Sequence, residues 1–395
     1  MAQLNADRPL GVGQFIETMD MGGAEHLAVQ IANALAERGH RSHLIVATGP
    51  GPLSGRISPA VRTHYVGFTR ASVRKPLAFA TSVAGGVRRL GDLVAREHIE
   101  VLQTHLPGAN YWGLLLAWRR RCGVVATVHN NEEFRYGEHD SRLLRAARRT
   151  AYGRIVRSCG VVAVSAAVKE SLVRQLGLDP TQAARITVVP NAVPPPPALD
   201  PARRTAVRER FGVAPGEVLF LAAGRFTAQK NFGDLVAAAE MLTADRLPFR
   251  LVIGGDGEDR PALVARVAAA GLADRVALPG NLADLDQVMG AADVFVMSSL
   301  WEGLPLVLLE AMAAGLPTAA YAIDGVRELV VDRQGGLTVP SGDAAALAGT
   351  LATLATDPDL RARLGAHAAG IIRTRFSFAQ LVDELESCYR AARRR

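Results

Sequence analysis

Short β-branched runs alternate with Ala- and Leu-rich stretches of helical period along the whole chain, and one proline-dense segment interrupts them near the middle. Strands of that kind are buried on both faces under crossover helices, which dictates parallel, doubly wound sheets. The interruption reads Pro190-Asn-Ala-Val-Pro-Pro-Pro-Pro-Ala-Leu-Asp-Pro201; its six prolines exclude helix and central strand and make a stiff connector. At 395 residues the chain also exceeds the roughly 250 to 300 residues at which a single core stops growing. We therefore expect an α/β protein of two doubly wound, Rossmann-like domains, residues 1–192 and 202–375, with a linker at 193–201 and a central cleft faced by the carboxyl ends of the strands. Strands are expected at 42–47, 101–104, 123–128, 160–164 and 186–189, and again at 218–223, 250–253, 276–278, 294–297 and 318–321.

Charge and cysteine usage narrow the class. The net charge of +7 is uneven: residues 1–192 hold 24 basic and 14 acidic side chains, a net of +10, and the remainder 21 and 24, a net of −3. The first half is expected to meet something anionic. It lacks the aromatic interleaving of a nucleic-acid module, so no nucleic-acid partner is expected. Cys122, Cys159 and Cys388 are far apart and lack metal or redox spacing. The first 30 residues have no basic start followed by an apolar core, and no apolar run nears the ~20 residues of a spanning helix; both point to the cytoplasm.

Three segments carry candidate chemistry. Gly22-Gly23 opens a helix expected at 26–38, where backbone N–H groups and the helix dipole favour an anion; an ordinary strand-to-helix turn explains the pair equally. The dinucleotide fingerprint fails at both Gly11-x-Gly13 and Gly255-x-Gly257. Gly224-Arg225 and Gln229-Lys230 lie in the loop after the first strand of the second domain. Lys230 is one of only three lysines, with Lys75 and Lys169, and with Arg225 it can clamp a diphosphate. The third segment, residues 298–315, holds Glu302 and Glu310. Eight residues of helix turn through about 800°, so both carboxylates are expected on one side facing one ligand, with Pro305 in the first turn leaving N–H groups for an anion.

Glu302 and Glu310 with seven residues between them, Gly224-Arg225, Gln229-Lys230, Val188-Val-Pro-Asn191 and Gly22-Gly23 together resemble the retaining glycosyltransferases of family 4, which have the two-domain GT-B fold. The likeness runs from about residue 11 to the last helix and is most specific at 301–315. It implies a nucleotide-sugar donor, most often of uridine diphosphate, and a sugar or lipid-linked acceptor. By matching positions, Glu302 lies by the donor sugar, Glu310 binds the ribose, Arg225 and Lys230 hold the diphosphate, and the backbone at Gly303, Leu306 and Val307 completes the contacts. The last helix, at 376–395, is expected to cross back to the first domain. The sequence departs from the family at Asp324, where a glycine is common.

The same resemblance supports His129, at the end of a strand in the first domain, as the residue facing the donor sugar, with His105 as an acceptor-side candidate. His40, His98 and His367 read as surface. Asp284-Leu-Asp286 spells the Asp-x-Asp of metal-dependent transferases of another fold, but here it precedes a helix at 287–291 and reads as a cap, as does Asp357. No metal or other cofactor is expected. A helix at Ser141–Arg157 gathers Arg142, Arg145, Arg148, Arg149 and Arg157 on one arc, opposite Leu143, Leu144, Ala147, Ala151 and Ile155, with Arg154 among the latter. With Arg88-Arg89 and Arg119–Arg121 it suggests peripheral contact with the anionic inner face of a membrane. Two alternatives remain open at this point: a sugar-nucleotide epimerase of the same fold, and a non-catalytic sugar-nucleotide-binding protein.

Overall fold

A computed structural model describes residues 8–68, 76–119, 121–133, 142–331 and 334–393. The chain divides into two compact units, one running to Pro190 and resumed from Ala379, the other comprising Asn191–Phe378.

The first unit is a seven-stranded parallel sheet of β1 (Gly11–Ile16), β2 (Arg41–Val46), β3 (Arg62–Tyr65), β4 (Val101–His105), β5 (Gly123–Val128), β6 (Gly160–Ala163) and β7 (Ile186–Val188), in the order β3-β2-β1-β4-β5-β6-β7. Its helices are α1 (Gly23–Glu37), α2 (Pro76–Arg96), α3 (Leu106–Trp118), α4 (Arg142–Ser158), α5 (Ala166–Leu176) and α6 (Pro180–Ala183). Side chains alternate across the strands, so neighbours feed opposite cores. Phe15, Ile45 and Leu102 pack with Leu90 of α2 and Trp112 of α3, whereas Ile16, Leu44 and Val46 pack with Ala28, Val29 and Ala32 of α1. Strand order reverses between β1 and β4, the position at which an open α/β sheet forms its crevice. Glu17 and His105 stand there, with His129 beyond the neighbouring β5.

The second unit holds β8 (Val218–Ala223), β9 (Phe249–Gly254), β10 (Val276–Gly280), β11 (Val294–Met297), β12 (Thr318–Tyr321) and β13 (Gly336–Val339), in the order β10-β9-β8-β11-β12-β13, all parallel. Around them lie α7 (Pro201–Arg210), α8 (Phe232–Ala244), α9 (Arg260–Ala269), α10 (Leu285–Ala291), α11 (Leu306–Ala313), α12 (Asp324–Arg327), α13 (Ala344–Thr356) and α14 (Pro358–Arg375). Its order reverses between β8 and β11, which puts the loops 224–231 and 298–305 side by side. The proline-rich stretch goes with this unit: Val193 bridges Ser377, and Pro201 opens α7 behind an Asp200 cap.

The last helix, α15 (Phe378–Arg393), belongs to the first unit from Ala379 onward. Arg38 bonds Asp383 at 2.5 Å and Glu386 at 2.9 Å, and Arg393 bonds Glu100 at 2.9 Å. At Gly123 an added Cβ would lie 2.7 Å from the Ala392 carbonyl oxygen, so a side chain there would push this helix away.

Several expectations need correction. His40 is not a surface residue: its Nδ1 accepts from Leu10 N at 3.0 Å and its Nε2 meets Glu386 at 3.3 Å. On α4 the buried line is Tyr152, Ile155, Val156 and Cys159, while Ala147 and Arg154 are exposed, so Arg154 leaves the apolar side and joins Arg142, Arg145, Arg149 and Arg157. Tyr152, an aromatic with a polar end, takes the inward place because its hydroxyl finds partners. Ser141, Arg120 and Lys75, and the side chains of Leu143 and Leu144, lie outside the described residues. Among the described residues, no helix is long and apolar enough to cross a membrane.

Candidate active site

The loop after β8 folds around Phe226, which is 1% exposed and meets Phe232 edge-on at 5.3 Å. Its backbone is clamped by the turn after β9, with Phe226 N donating to Asp256 O at 2.8 Å and Asp259 N to Phe226 O at 3.1 Å. Such an approach leaves no room for side chains: an added Cβ on Gly255 would lie 1.9 Å from Gly224 O, and one on Gly257 2.3 Å from Phe226 O. The two glycines that fail as a dinucleotide fingerprint thus hold the clamp loop in place. Burying Phe226 turns its neighbour Arg225 outward, where it is exposed and has no hydrogen bond or ion pair among the described residues.

Four bonds stitch this loop to the one after β11. Leu300 N donates to Gln229 O at 2.9 Å, Gln229 Nε2 to Trp301 O at 2.8 Å and Ser298 Oγ to Lys230 O at 2.8 Å. Lys230 Nζ then reaches Glu302 Oε1 at 2.6 Å, with the two side chains 17% and 12% exposed. Asn231 adopts a left-handed conformation at the start of α8 (φ 48°) and is held by Asp234, whose carboxylate also accepts from Tyr321 Oη at 2.6 Å. The ammonium has three donors and gives one to Glu302, so two remain for a ligand.

Glu302 and Glu310 are not related by helical period as expected. Glu302 lies in the loop, Pro305 takes the N-cap, and α11 begins only at Leu306, leaving Glu310 alone on the helix, half-buried. What fixes Glu302 is the turn itself. Buried Asn191 donates to Leu304 O at 2.9 Å, and Gly325 sits where an added Cβ would be 2.5 Å from Gly303 O. Asp324, the departure from the family pattern, is exposed in the first turn of α12 and leaves this packing intact. No side chain caps α11, so the N–H groups of Leu306 and Val307 are among those a helix start leaves without intrahelical partners.

In the first unit His105 is fully buried and does not present itself to an acceptor. Its Nδ1 lies 3.2 Å from His129 Nε2 and its Nε2 2.8 Å from Gln14 Oε1, so it acts on His129, which is only partly buried. Burial lowers the pKa of His129 to about 4 and that of His105 well below the ordinary imidazole value, so both rings are neutral at pH 7. Gly22 caps α1, but its neighbour there is the chain's own Glu25, whose Oε2 would lie 2.1 Å from an added Cβ. That carboxylate holds the place given to a phosphate in the sequence reading and answers the dipole of α1. A further acidic group, unnoticed in the sequence, is Glu133, 3% exposed and hydrogen-bonded by Tyr152 Oη.

Asp284 stands at the N-cap of α10 without capping it; it takes Arg210 Nη1 at 2.8 Å instead, because a guanidinium offers a charge-assisted bond. Asp357 does cap, accepting from Leu360 N at 2.8 Å. Among the described residues, His43, His64 and Glu97 form a group with metal-ligand spacing. Its two imidazoles already pair at 3.1 Å and Glu97 is taken by Arg96 at 3.2 Å and Arg62 at 3.6 Å, so its charge is answered within the chain.

Residues 203–370 match the family model described as Glycosyl transferases group 1, and residues 21–195 that of Glycosyltransferase Family 4. A D-inositol 3-phosphate glycosyltransferase of Xylanimonas cellulosilytica is 30% identical, over 96% of this chain and 94% of its own length. A 2-deoxystreptamine glucosyltransferase of Streptomyces kanamyceticus is 30% identical over 84% of the chain and 89% of its own. Among solved structures, Anabaena HepE in complex with UDP-glucose superposes with a TM-score of 0.81 at 21% identity, over 96% of this chain and 99% of that one, a likeness of fold.

Proposed function

The chain belongs to the family 4 glycosyltransferases of GT-B fold, and from that premise we propose that it moves a sugar from a nucleotide-diphosphate donor, a UDP-sugar first among them, to a sugar or lipid-linked acceptor with retention of configuration. The observation that carries this reading is the stitched pair of loops at the β8–β11 switch point, where Lys230 and Glu302 pair beside the uncapped start of α11 and exposed Arg225. Arg225, Lys230 and the first N–H groups of α11 form a cradle for the departing diphosphate, stabilising charge that grows in the transition state. Glu302 turns toward the sugar and Glu310 toward the ribose. No carboxylate is assigned as a covalent nucleophile; the acceptor attacks on the face the diphosphate leaves. We assign no metal, because the two cations supply the charge a divalent ion would bring.

The carboxylates are separable. Glu310→Ala is expected to weaken binding of free UDP about tenfold or more, whereas Glu302→Ala spares UDP and weakens the UDP-sugar, since losing one partner of a charged hydrogen bond costs about 1.5–3 kcal/mol. Calorimetric titration of both ligands into both variants checks this, and equal losses throughout would refute the division of roles. Donor alone, incubated with the protein, tests the epimerase reading: interconversion of the sugar would favour it over transfer.

For the acceptor, α4 exposes Arg142, Arg145, Arg149, Arg154 and Arg157, which suits an anionic membrane at about 1 kcal/mol per basic residue near the surface. Sedimentation with anionic vesicles is expected to retain the protein at low salt and release it as salt rises. Equal retention by neutral vesicles would sink this reading and favour a soluble acceptor. Cyclitols such as those in the relatives' names, D-inositol 3-phosphate and 2-deoxystreptamine, would then be tried first.

A further inference from the structure

Beneath His129 lies a chain of buried polar groups. Gln14, His105 and Tyr389 are each 0% exposed, Gln103 1% and Thr127 2%. Where water does not reach, donors and acceptors must find one another, so the direction of each bond constrains the next. Gln103 Nε2 donates to Thr127 Oγ1 at 2.7 Å, which turns Gln103 Oε1 toward Tyr389. Tyr389 has one hydroxyl hydrogen and gives it to that oxygen, while its own oxygen accepts from Gln14 Nε2 at 3.1 Å. Gln14 Oε1 can only accept, and it faces His105 Nε2 at 2.8 Å, so that nitrogen carries the ring hydrogen. A neutral imidazole has one such hydrogen. His105 Nδ1 is therefore a bare lone pair, and the hydrogen between it and His129 Nε2, 3.2 Å away, belongs to His129.

We infer that Tyr389 of α15, acting through Gln14 and His105, holds His129 as the Nε2–H tautomer and leaves its Nδ1 as a hydrogen-bond acceptor at the crevice of the first unit. Nδ1 has no hydrogen-bond partner among the described residues, and the ring is partly exposed. The low pKa values of both imidazoles keep the chain in its neutral form at pH 7. Turning both amides over would reverse every bond and make His129 a donor through Nδ1–H. The two senses thus give the ring opposite hydrogen-bonding characters, and the residue on which the sense pivots stands on the C-terminal helix, 286 positions from Gln103. Tyr389, Gln14 and His105 are positioning residues. That Nδ1 accepts from a hydroxyl of the donor sugar rests on the function proposed above; the tautomer does not.

Ring-nitrogen correlation spectra of the full-length chain labelled with 15N-histidine, taken at pH 7.5 without ligand and assigned with His129→Asn, test the inference. The wild type is expected to show His129 protonated at Nε2 and bare at Nδ1. Gln14→Met removes the acceptor that orders His105 and Tyr389→Phe removes the hydroxyl; in either, the Nδ1–H form of His129 is expected to rise from undetected to a measurable share. UDP-sugar affinity should fall about fivefold in the same variants with UDP affinity unchanged, the loss of about one neutral hydrogen bond. An Nδ1–H signal in the wild type, or an unaltered Nε2–H form in both folded variants, overturns the inference. If a variant fails to fold, the wild-type spectrum still decides the sense of the chain. An Nε2–H wild type that binds no nucleotide sugar would retire the donor reading and leave the tautomer standing.

Discussion

Replacing Lys230 by Met is expected to lower turnover by about 10²–10³-fold, the loss measured when one preorganised donor to developing negative charge is removed. Because Lys230 is paired at 2.6 Å with Glu302 and both are mostly buried, the single variant also leaves a carboxylate without its partner and loses stability. Glu302→Gln in the same chain removes that charge, so the double variant Lys230→Met/Glu302→Gln should regain stability and not turnover. Arg225 provides the contrast. It is exposed and free of partners among the described residues, so Arg225→Ala should cost a similar factor in turnover with stability within about 0.5 kcal/mol of wild type. Chelation by EDTA should leave wild-type turnover unchanged. Steady-state rates and thermal midpoints on the same preparations decide the matter. Near-normal turnover in Lys230→Met, or its recovery in the double variant, would remove the clamp.

Glu133→Gln is expected to stabilise the protein at pH 8 and to do so far less at pH 5. Burial raises the Glu133 pKa from 4.5 to about 7, against the opposing hydrogen bond from Tyr152. The folded chain therefore keeps a proton between about pH 4.5 and 7 that the unfolded chain has released, and unfolding free energy falls as pH rises through that window. Above it the penalty is complete, at about 3 kcal/mol for a pKa raised by roughly 2.5. A glutamine accepts from Tyr152 in the same way and carries no charge, so the variant lacks this slope. For a unit of this size the gain corresponds to about 6–10 °C in melting temperature at pH 8. Buried His105 and His129 contribute the opposite slope, with stability rising as pH climbs toward the ordinary imidazole value, but they are common to both proteins and cancel in the difference. Melting curves at pH 5 and 8 settle it: an equal gap between variant and wild type at the two pH values is incompatible with a buried acid titrating near 7.

Local chemistry was enough to read the strands that form the most continuous apolar runs. Residues 123–128, 218–223, 294–297 and 318–321 fall where they were expected, because buried parallel strands must be apolar and β-branched on both faces. Strand β3, Arg-Thr-His-Tyr, was not legible: it lies at the edge of its sheet, where a half-polar run is tolerated. Helix α11 was legible as an apolar run, but its start was set three residues beyond Gly303 by Pro305 and the Asn191 bond, which undid the helical argument for placing Glu302 beside Glu310.

By itself the sequence determined the kind of fold and the chemical types gathered in the loops, since periodicity, glycines and prolines act within a few residues of one another. Which groups meet was decided only in the tertiary structure. Lys230 finds Glu302 across 72 residues because β8 and β11, far apart in the chain, are neighbours in the sheet. Gly255 and Gly257 acquire their meaning from the turn they press against, Glu25 takes the place at α1 that Gly22 alone had suggested for a phosphate, and the character of His129 depends on a tyrosine near the chain's end. The physical reason is common to all of them. A polar group removed from water must be answered by whatever the fold brings within about 3 Å, and that distance is a property of packing, which no local pattern encodes.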